Sequence, residues 1–217
     1  MKILNASRFA LGTGVTAQVG AVTDPLDKAL LAELAAVVAD ATSAYEDYNY
    51  AAALERTESF FWALCDDYLE LVKSRAYGER DAQGAESARA TLSVALSTVL
   101  RLLAPVLPFV TDEVWSWWQE GSIHRAAWPT VEPLIELAGG ADTSALQTAA
   151  AAIAVVRKAK SDAKLSMRAD VATLRVVGPE PALASVRAVA EDVRAAGRVA
   201  AVEFATEPGE IRYDVAL

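Results

Sequence analysis

Apolar residues spaced three and four apart run through the first half of the chain, and this period predicts a succession of helices. The longest run begins at Asn49, a residue suited to capping, and ends near Gly78, a residue suited to stopping a helix. Within it Phe61, Leu64, Cys65, Tyr68, Leu71 and Val72 form one buried face. At ~100° per residue, Trp62 and Leu69 fall together on the shoulder of that face, with Asp66, Glu70 and Lys73 just beyond. Such a shoulder is either covered by a second helix or left as a seam for a partner.

The other elements follow from the same period. Met1 to Leu11 reads as the end of a helix whose start is missing, because no capping residue precedes Lys2. Ile3, Leu4, Ser7, Ala10 and Leu11 share one face of it, while Lys2, Asn5, Ala6 and Phe9 share the other. Lys2 and Phe9 stand nearly above one another, as a phosphate contact and a stacking ring would, or as a cation beside a ring packed under a loop. Gly12 to Val22 is a loop without the pattern of a phosphate-cradling turn. Asp24 caps a helix entered by Pro25 and running to about Glu46, and Arg80 to Gly84 is a polar loop. From Ala85 the series Leu92, Leu96, Val99 and Leu103 marks a further helix, stopped by Pro105 and Pro108. Thr111 is expected to cap a short helix carrying Trp115, Trp117 and Trp118, of which one or two close the bottom of the bundle or an interdomain joint.

Past this point the pattern changes. Ser122 to Pro129 reads as extended, and residues 131–142, with Pro133, Gly139 and Gly140, as a linker. Thr143 to about Lys164 is helical and closes on a basic group, Arg157, Lys158, Lys160, Lys164 and Arg168. That group is either a solvated helix end favoured by the dipole or a surface that tracks phosphates. Period-two alternation then appears at Ala172 to Val177, a helix spans Pro181 to Ala196, and strands follow at Val199 to Phe204 and Ile211 to Val215. The expected fold is mainly α: a helical bundle over residues 1–130, then a small α+β unit over residues 143–217 with a three-stranded sheet and helices on one face.

Composition narrows the chemistry. At 217 residues and a formal net charge of -9, the chain has no broad basic surface for DNA or an anionic membrane, though a local site is compatible with that balance. No apolar run reaches the ~20 residues of a membrane span. Cys65 is the sole cysteine and lies on the buried stripe, which points to a reducing compartment, the cytoplasm by default. His124 is the sole histidine, so neither a nucleophile–histidine pair nor a metal set stands out, and it is assigned a structural or surface role.

Four segments then carry a resemblance. Lys2-Ile-Leu-Asn-Ala-Ser-Arg-Phe9, Phe61-Trp-Ala-Leu-Cys-Asp-Asp-Tyr-Leu-Glu70 with Lys73, Leu103-Ala-Pro-Val-Leu-Pro-Phe-Val-Thr-Asp-Glu-Val-Trp115 and Ser122-Ile-His-Arg-Ala-Ala-Trp-Pro129 occur in order. Together they resemble the anticodon-binding region of class I valyl-tRNA synthetases over about residues 2–130. The resemblance implies a bundle holding the anticodon loop of valine tRNA through Lys2, Phe9, Leu69 and Glu70. Phe9 would stack on a base, Leu69 would make apolar contact, Glu70 would accept from a base amino group, and Lys2 would supply charge. Arg157, Lys158, Lys160, Lys164 and Arg168 would follow the tRNA backbone.

The same resemblance makes the chain a C-terminal fragment of an ATP-dependent ligase, with the catalytic domain of the parent chain as a partner. No cofactor is expected in this chain, since ATP and Mg belong to that catalytic domain. The family's His-Ile-Gly-His and Lys-Met-Ser-Lys-Ser signatures are absent from the sequence, so the chain alone is expected to be inactive. Leu4 stands where the family often has an aromatic, and the strands beyond residue 143 replace its heptad-patterned arm. A free-standing tRNA-binding module, or a protein-interaction bundle, is the competing expectation.

Overall fold

The computed structural model describes residues 1–141 and 143–217, leaving Asp142, the last residue of the expected linker, outside the described residues. The chain is mainly α. Helices α1 (Lys2–Gly12), α2 (Pro25–Glu46), α3 (Tyr50–Ala63), α4 (Leu69–Ala76), α5 (Ala82–Leu103) and α6 (Pro108–Ser116) build the bundle. Its centre is α2, which touches α3, α5, α7 (Glu132–Ala138), α8 (Ser144–Asp162) and α9 (Glu180–Gly197). Leu26, Ala29, Leu30, Leu31, Leu34, Val37, Val38 and Ala41 are accordingly buried around more than one stripe. Asp24 caps α2 by accepting from Leu26 N at 3.0 Å, and Asn49 caps α3 by accepting from Ala52 N at 3.3 Å.

Three expectations are corrected. Thr111 lies inside α6 and donates to Leu107 O at 2.9 Å. The helix instead starts at Pro108, whose missing N–H costs nothing in the first turn. Gly84 belongs to α5, which Asp81 caps by accepting from Gly84 N at 2.6 Å. The expected linker holds a helix, α7, packed on α2. Ahead of it a 3-10 turn occupies Ile123–Arg125, and Trp128 Nε1 donates to Thr42 Oγ1 at 2.8 Å. Of the clustered tryptophans, Trp115 is buried and Trp117 exposed.

Residues beyond 143 form the sheet β2-β1-β3, from β1 (Val171–Gly178), β2 (Val199–Thr206) and β3 (Arg212–Ala216). β1 pairs parallel with β2 across α9 and antiparallel with β3. The rows Leu174–Val202–Val215 and Val176–Phe204–Tyr213 face α8 and α9, while Arg175 stands between Glu203 and Asp214 on the open face. Among the described residues, no helix is long and apolar enough to cross a membrane.

A buried polar cluster joins this unit to the bundle. Arg75 on α4 is 1 % exposed and binds Asp27 of α2 through two bonds of 2.6 and 2.8 Å. It also binds Asp192 of α9 through two bonds of 3.1 and 3.0 Å. Tyr68 Oη and Ser87 Oγ each donate to Asp27 at 2.6 Å. Glycine is required at position 84, because a Cβ there would stand 2.9 Å from Arg75 Cδ. Burial pushes the Asp192 carboxyl up to about 6, with Arg75 pulling the other way and Asp24 and Asp27 adding to the rise.

A carboxyl raised in the folded state takes up its proton there more readily than in the unfolded chain. Its stabilising contribution is full below the ordinary value of 3.8 and is lost as pH rises through about 6. At ~1.4 kcal/mol per pH unit the displacement amounts to roughly 3 kcal/mol. Urea unfolding of the protein and of Asp192→Asn at pH 4 and pH 7 is expected to show this contribution only in the parent protein. Parallel pH profiles would contradict it.

Candidate nucleic-acid interface

The bundle's longest helical run is interrupted. Between α3 and α4 the backbone takes a π turn, Leu64–Tyr68, which fits one extra residue into the helix without breaking it. Beyond it Leu71 and Val72 stay on the buried face that the period predicts. Trp62 is 44 % exposed whereas Leu69 is 8 % exposed and packs among Ile3, Phe61 and Leu96 around a small cavity under α1. Of the two outcomes open for that shoulder, cover by a second helix holds for Leu69, which α1 packs over, while Trp62 stays exposed. Leu69→Ala is expected to cost about 2 to 5 kcal/mol of stability in urea unfolding. A loss under ~0.5 kcal/mol, as at surface sites, would contradict that placement.

Glu70, Lys73 and Tyr77 point outward along one face of α4 and its end, at spacings suited to a shared stripe. Helix α1 lies beside them. Lys2 Nζ meets Asp66 Oδ1 at 2.6 Å and sits 5.3 Å from the Trp62 ring centre. The hydrogen bond to Asp66 raises its pKa. Phe9 is half-buried, with the Tyr77 ring perpendicular to it at 5.9 Å and Lys73 Nζ over its ring at 5.9 Å. Lys73 also lies 3.8 Å from Glu70 Oε1, so one ammonium touches both the ring and the carboxylate. Lys2, Phe9 and Glu70 thus line one side of the molecule, and Leu69 lies beneath them.

The basic group is divided. Arg157 pairs with Asp67 at 2.8 Å and donates to Asp66 O at 2.6 Å, which binds α8 to the π turn. Lys160 is 2 % exposed and donates to Met167 O at 3.1 Å and Gly197 O at 2.8 Å. Burial, with Arg198 nearby, lowers its pKa. A buried ammonium satisfied by carbonyls does not track a backbone, and this corrects the expectation for Lys160. Its position on α8 faces the body of the unit, a fact of tertiary packing invisible in a run of basic residues. Lys158 is exposed and pairs with Asp162 at 2.7 Å, while Lys164 and Arg168 are exposed beyond the helix end.

Arg168 reaches the α4 face. A cleft of about 520 Å³ has Glu70, Lys73 and Tyr77 on one wall and Met167, Arg168 and Arg198 on the other. Tyr77 and Arg198 were not singled out from the sequence. Tyr77 was legible as the residue seven beyond Glu70, whereas Arg198 depends on how α9 docks against α4. Burial raises the Cys65 thiol to about 11, which keeps it protonated at neutral pH. Among the described residues, no cluster of three or more His, Cys, Asp or Glu side chains is arranged to hold a metal.

Residues 27–177 match the family model of the anticodon-binding domain of tRNA ligase. Along its whole length the chain is 53% identical to the valine–tRNA ligase of Thermobifida fusca, of which it covers 25%. It is 47% identical over its whole length to that of Salinispora tropica, covering 27% of it. With the Cutibacterium acnes enzyme it shares 45% identity over 95% of this chain and 24% of the relative. The chain thus spans about a quarter of the length of these curated relatives.

Proposed function

The chain belongs to the anticodon-binding domains of tRNA ligases, and from that premise we propose that it is the tRNA-reading part of a valine–tRNA ligase. It holds the anticodon loop of valine tRNA while a catalytic domain of the same parent polypeptide joins valine to that tRNA using ATP. The observation that carries this reading is the junction made by Lys73, which touches both Phe9 from the first motif and Glu70 from the second. Residues over sixty positions apart in sequence share one solvent-facing surface, with a flat ring, a carboxylate and ammonium groups within reach of one nucleotide.

Each group has a distinct task. Phe9 offers its half-buried ring to an unstacked base, and Glu70 accepts from that base's amino group at its edge. Lys2 and Lys73 balance nearby phosphate charge without conferring sequence preference. Leu69, packed below, seats the backbone that presents Glu70 and offers a base only its small exposed edge. Residues 1–130 are the reading unit, and residues 143–217 form a second unit docked on it through Asp192. The proposed setting is the cytoplasm.

A fluorescence titration of the chain with valine tRNA and with the same tRNA carrying a replaced anticodon tests the proposal at two salt concentrations. Preference for the native anticodon that persists at the higher salt is the expected result. Equal, salt-sensitive binding to both would overturn anticodon reading, and no binding would favour a protein-interaction bundle.

A further inference from the structure

We propose that the cleft between α4 and the second unit is a phosphate-binding channel for the RNA strand, with Arg168 and Arg198 as its contacts and Lys160 as the residue that positions them. The proposal rests on the anticodon reading for the identity of the ligand and on Lys160, Arg168 and Arg198 for the channel itself.

The two arginines come from different elements, Arg168 from the segment between α8 and β1 and Arg198 from the residue that follows α9. What brings them together is Lys160. Its ammonium bonds the carbonyl of Met167, the residue before Arg168, and the carbonyl of Gly197, the residue before Arg198. A buried cation is retained only where such acceptors replace its water. This one ties together the two backbone segments that carry the cleft's arginines.

Arg198 adopts a left-handed conformation, φ 54°, which a non-glycine residue takes up where its surroundings demand it. Its Nε donates to the exposed Asp170 at 2.8 Å, a solvent-facing partner that a phosphate can displace. Lys73 completes the opposite wall beside Glu70 and Tyr77. A strand whose base meets Phe9 and Glu70 has its adjoining backbone in this cleft, where cations lie on both walls. Guanidinium groups suit phosphate oxygens because each offers paired donors in a fixed fork. A chain with a net charge of -9 needs such a local site if it is to hold RNA at all.

Phosphate contacts and base contacts separate experimentally. Affinities for native and anticodon-replaced valine tRNA are measured across a salt series for the protein, for Arg168→Gln with Arg198→Gln, for Lys160→Met and for Glu70→Gln. The arginine pair is on the surface, so folding is not at stake. The paired substitution is expected to weaken both RNAs alike and to flatten the slope of log affinity against log salt by ~1.4, about 0.7 for each lost single-strand contact. The ratio between the two RNAs stays unchanged.

Lys160→Met should flatten the slope similarly and add little to the arginine pair. A structural defect alone would lower the folded fraction without changing the slope. An unchanged slope in the arginine pair overturns the proposal, whether or not Lys160→Met folds. If the wild-type protein binds both RNAs equally while the slope still falls, anticodon reading fails and the channel stands. Binding to neither RNA overturns both.

Discussion

Arg75→Met is expected to cost about 3 to 5 kcal/mol of folding free energy. The methionine nearly fills the space of the arginine stem but leaves two buried carboxylates without their bidentate partner. Asp27, wholly buried, retains Tyr68 and Ser87 as donors. Asp192 retains only Arg80, at 3.5 Å and partly solvated. A buried carboxylate without a partner must protonate or draw in water, and both work against folding. Because Asp192 titrates near 6 in the intact protein, the loss should be larger at pH 7 than at pH 5. Urea unfolding at both pH values measures this. A cost under ~1 kcal/mol at pH 7 would mean that the cluster is solvated. The damage should also spread to the cleft, since Asp192 on α9 is how the second unit grips α4.

Phe9→Ala is expected to weaken binding of valine tRNA by about 10- to 100-fold, the ~1 to 3 kcal/mol that base stacking on an aromatic contributes. The ring meets Tyr77 at right angles under the Lys73 ammonium, so part of its surface is committed to the protein. Its removal should therefore also lower stability modestly. Measuring affinity and melting temperature on the same sample separates the two contributions. A drop in melting temperature with affinity unchanged would make Phe9 a packing residue. Phe9→Tyr or Phe9→Trp keeps a stacking face and should restore most of the affinity.

Much of this was legible in the sequence because it depends on local chemistry. Asp24 before Pro25 and Asn49 before the long run mark helix starts whose capping bonds are present. The alternation of Ala172 to Val177 identifies a strand that proves to be the central one of the sheet. Lys2, Phe9 and Glu70 fall on outward faces because helical period alone assigns them there. Where reading failed, the deciding fact was not local. Leu69 lies at the edge of the buried stripe, and its cover by α1 is a fact of tertiary packing; nothing in Leu-Cys-Asp-Asp-Tyr announces the π turn either. Only the resemblance places Leu69 against a base, and α1 covers it in the structure. Lys160 and Arg157 look like their basic neighbours in sequence, yet one is enclosed by carbonyls and the other by the π turn's carboxylate. Both outcomes are set by how α8 lies against the rest of the molecule, which a charge pattern does not encode.

If Phe9 and Glu70 discriminate the anticodon, a short RNA hairpin carrying only the anticodon stem and loop is enough to reveal it. Its affinity, with native and with replaced anticodon, is to be compared between the protein and Glu70→Gln. The protein is expected to prefer the native hairpin by tenfold or more, since a hydrogen bond to a charged group contributes ~1.5 to 3 kcal/mol. Glu70→Gln should abolish most of that preference while retaining the salt-dependent part of binding. A preference that survives intact in Glu70→Gln would contradict the assignment and move the reading site elsewhere on the chain.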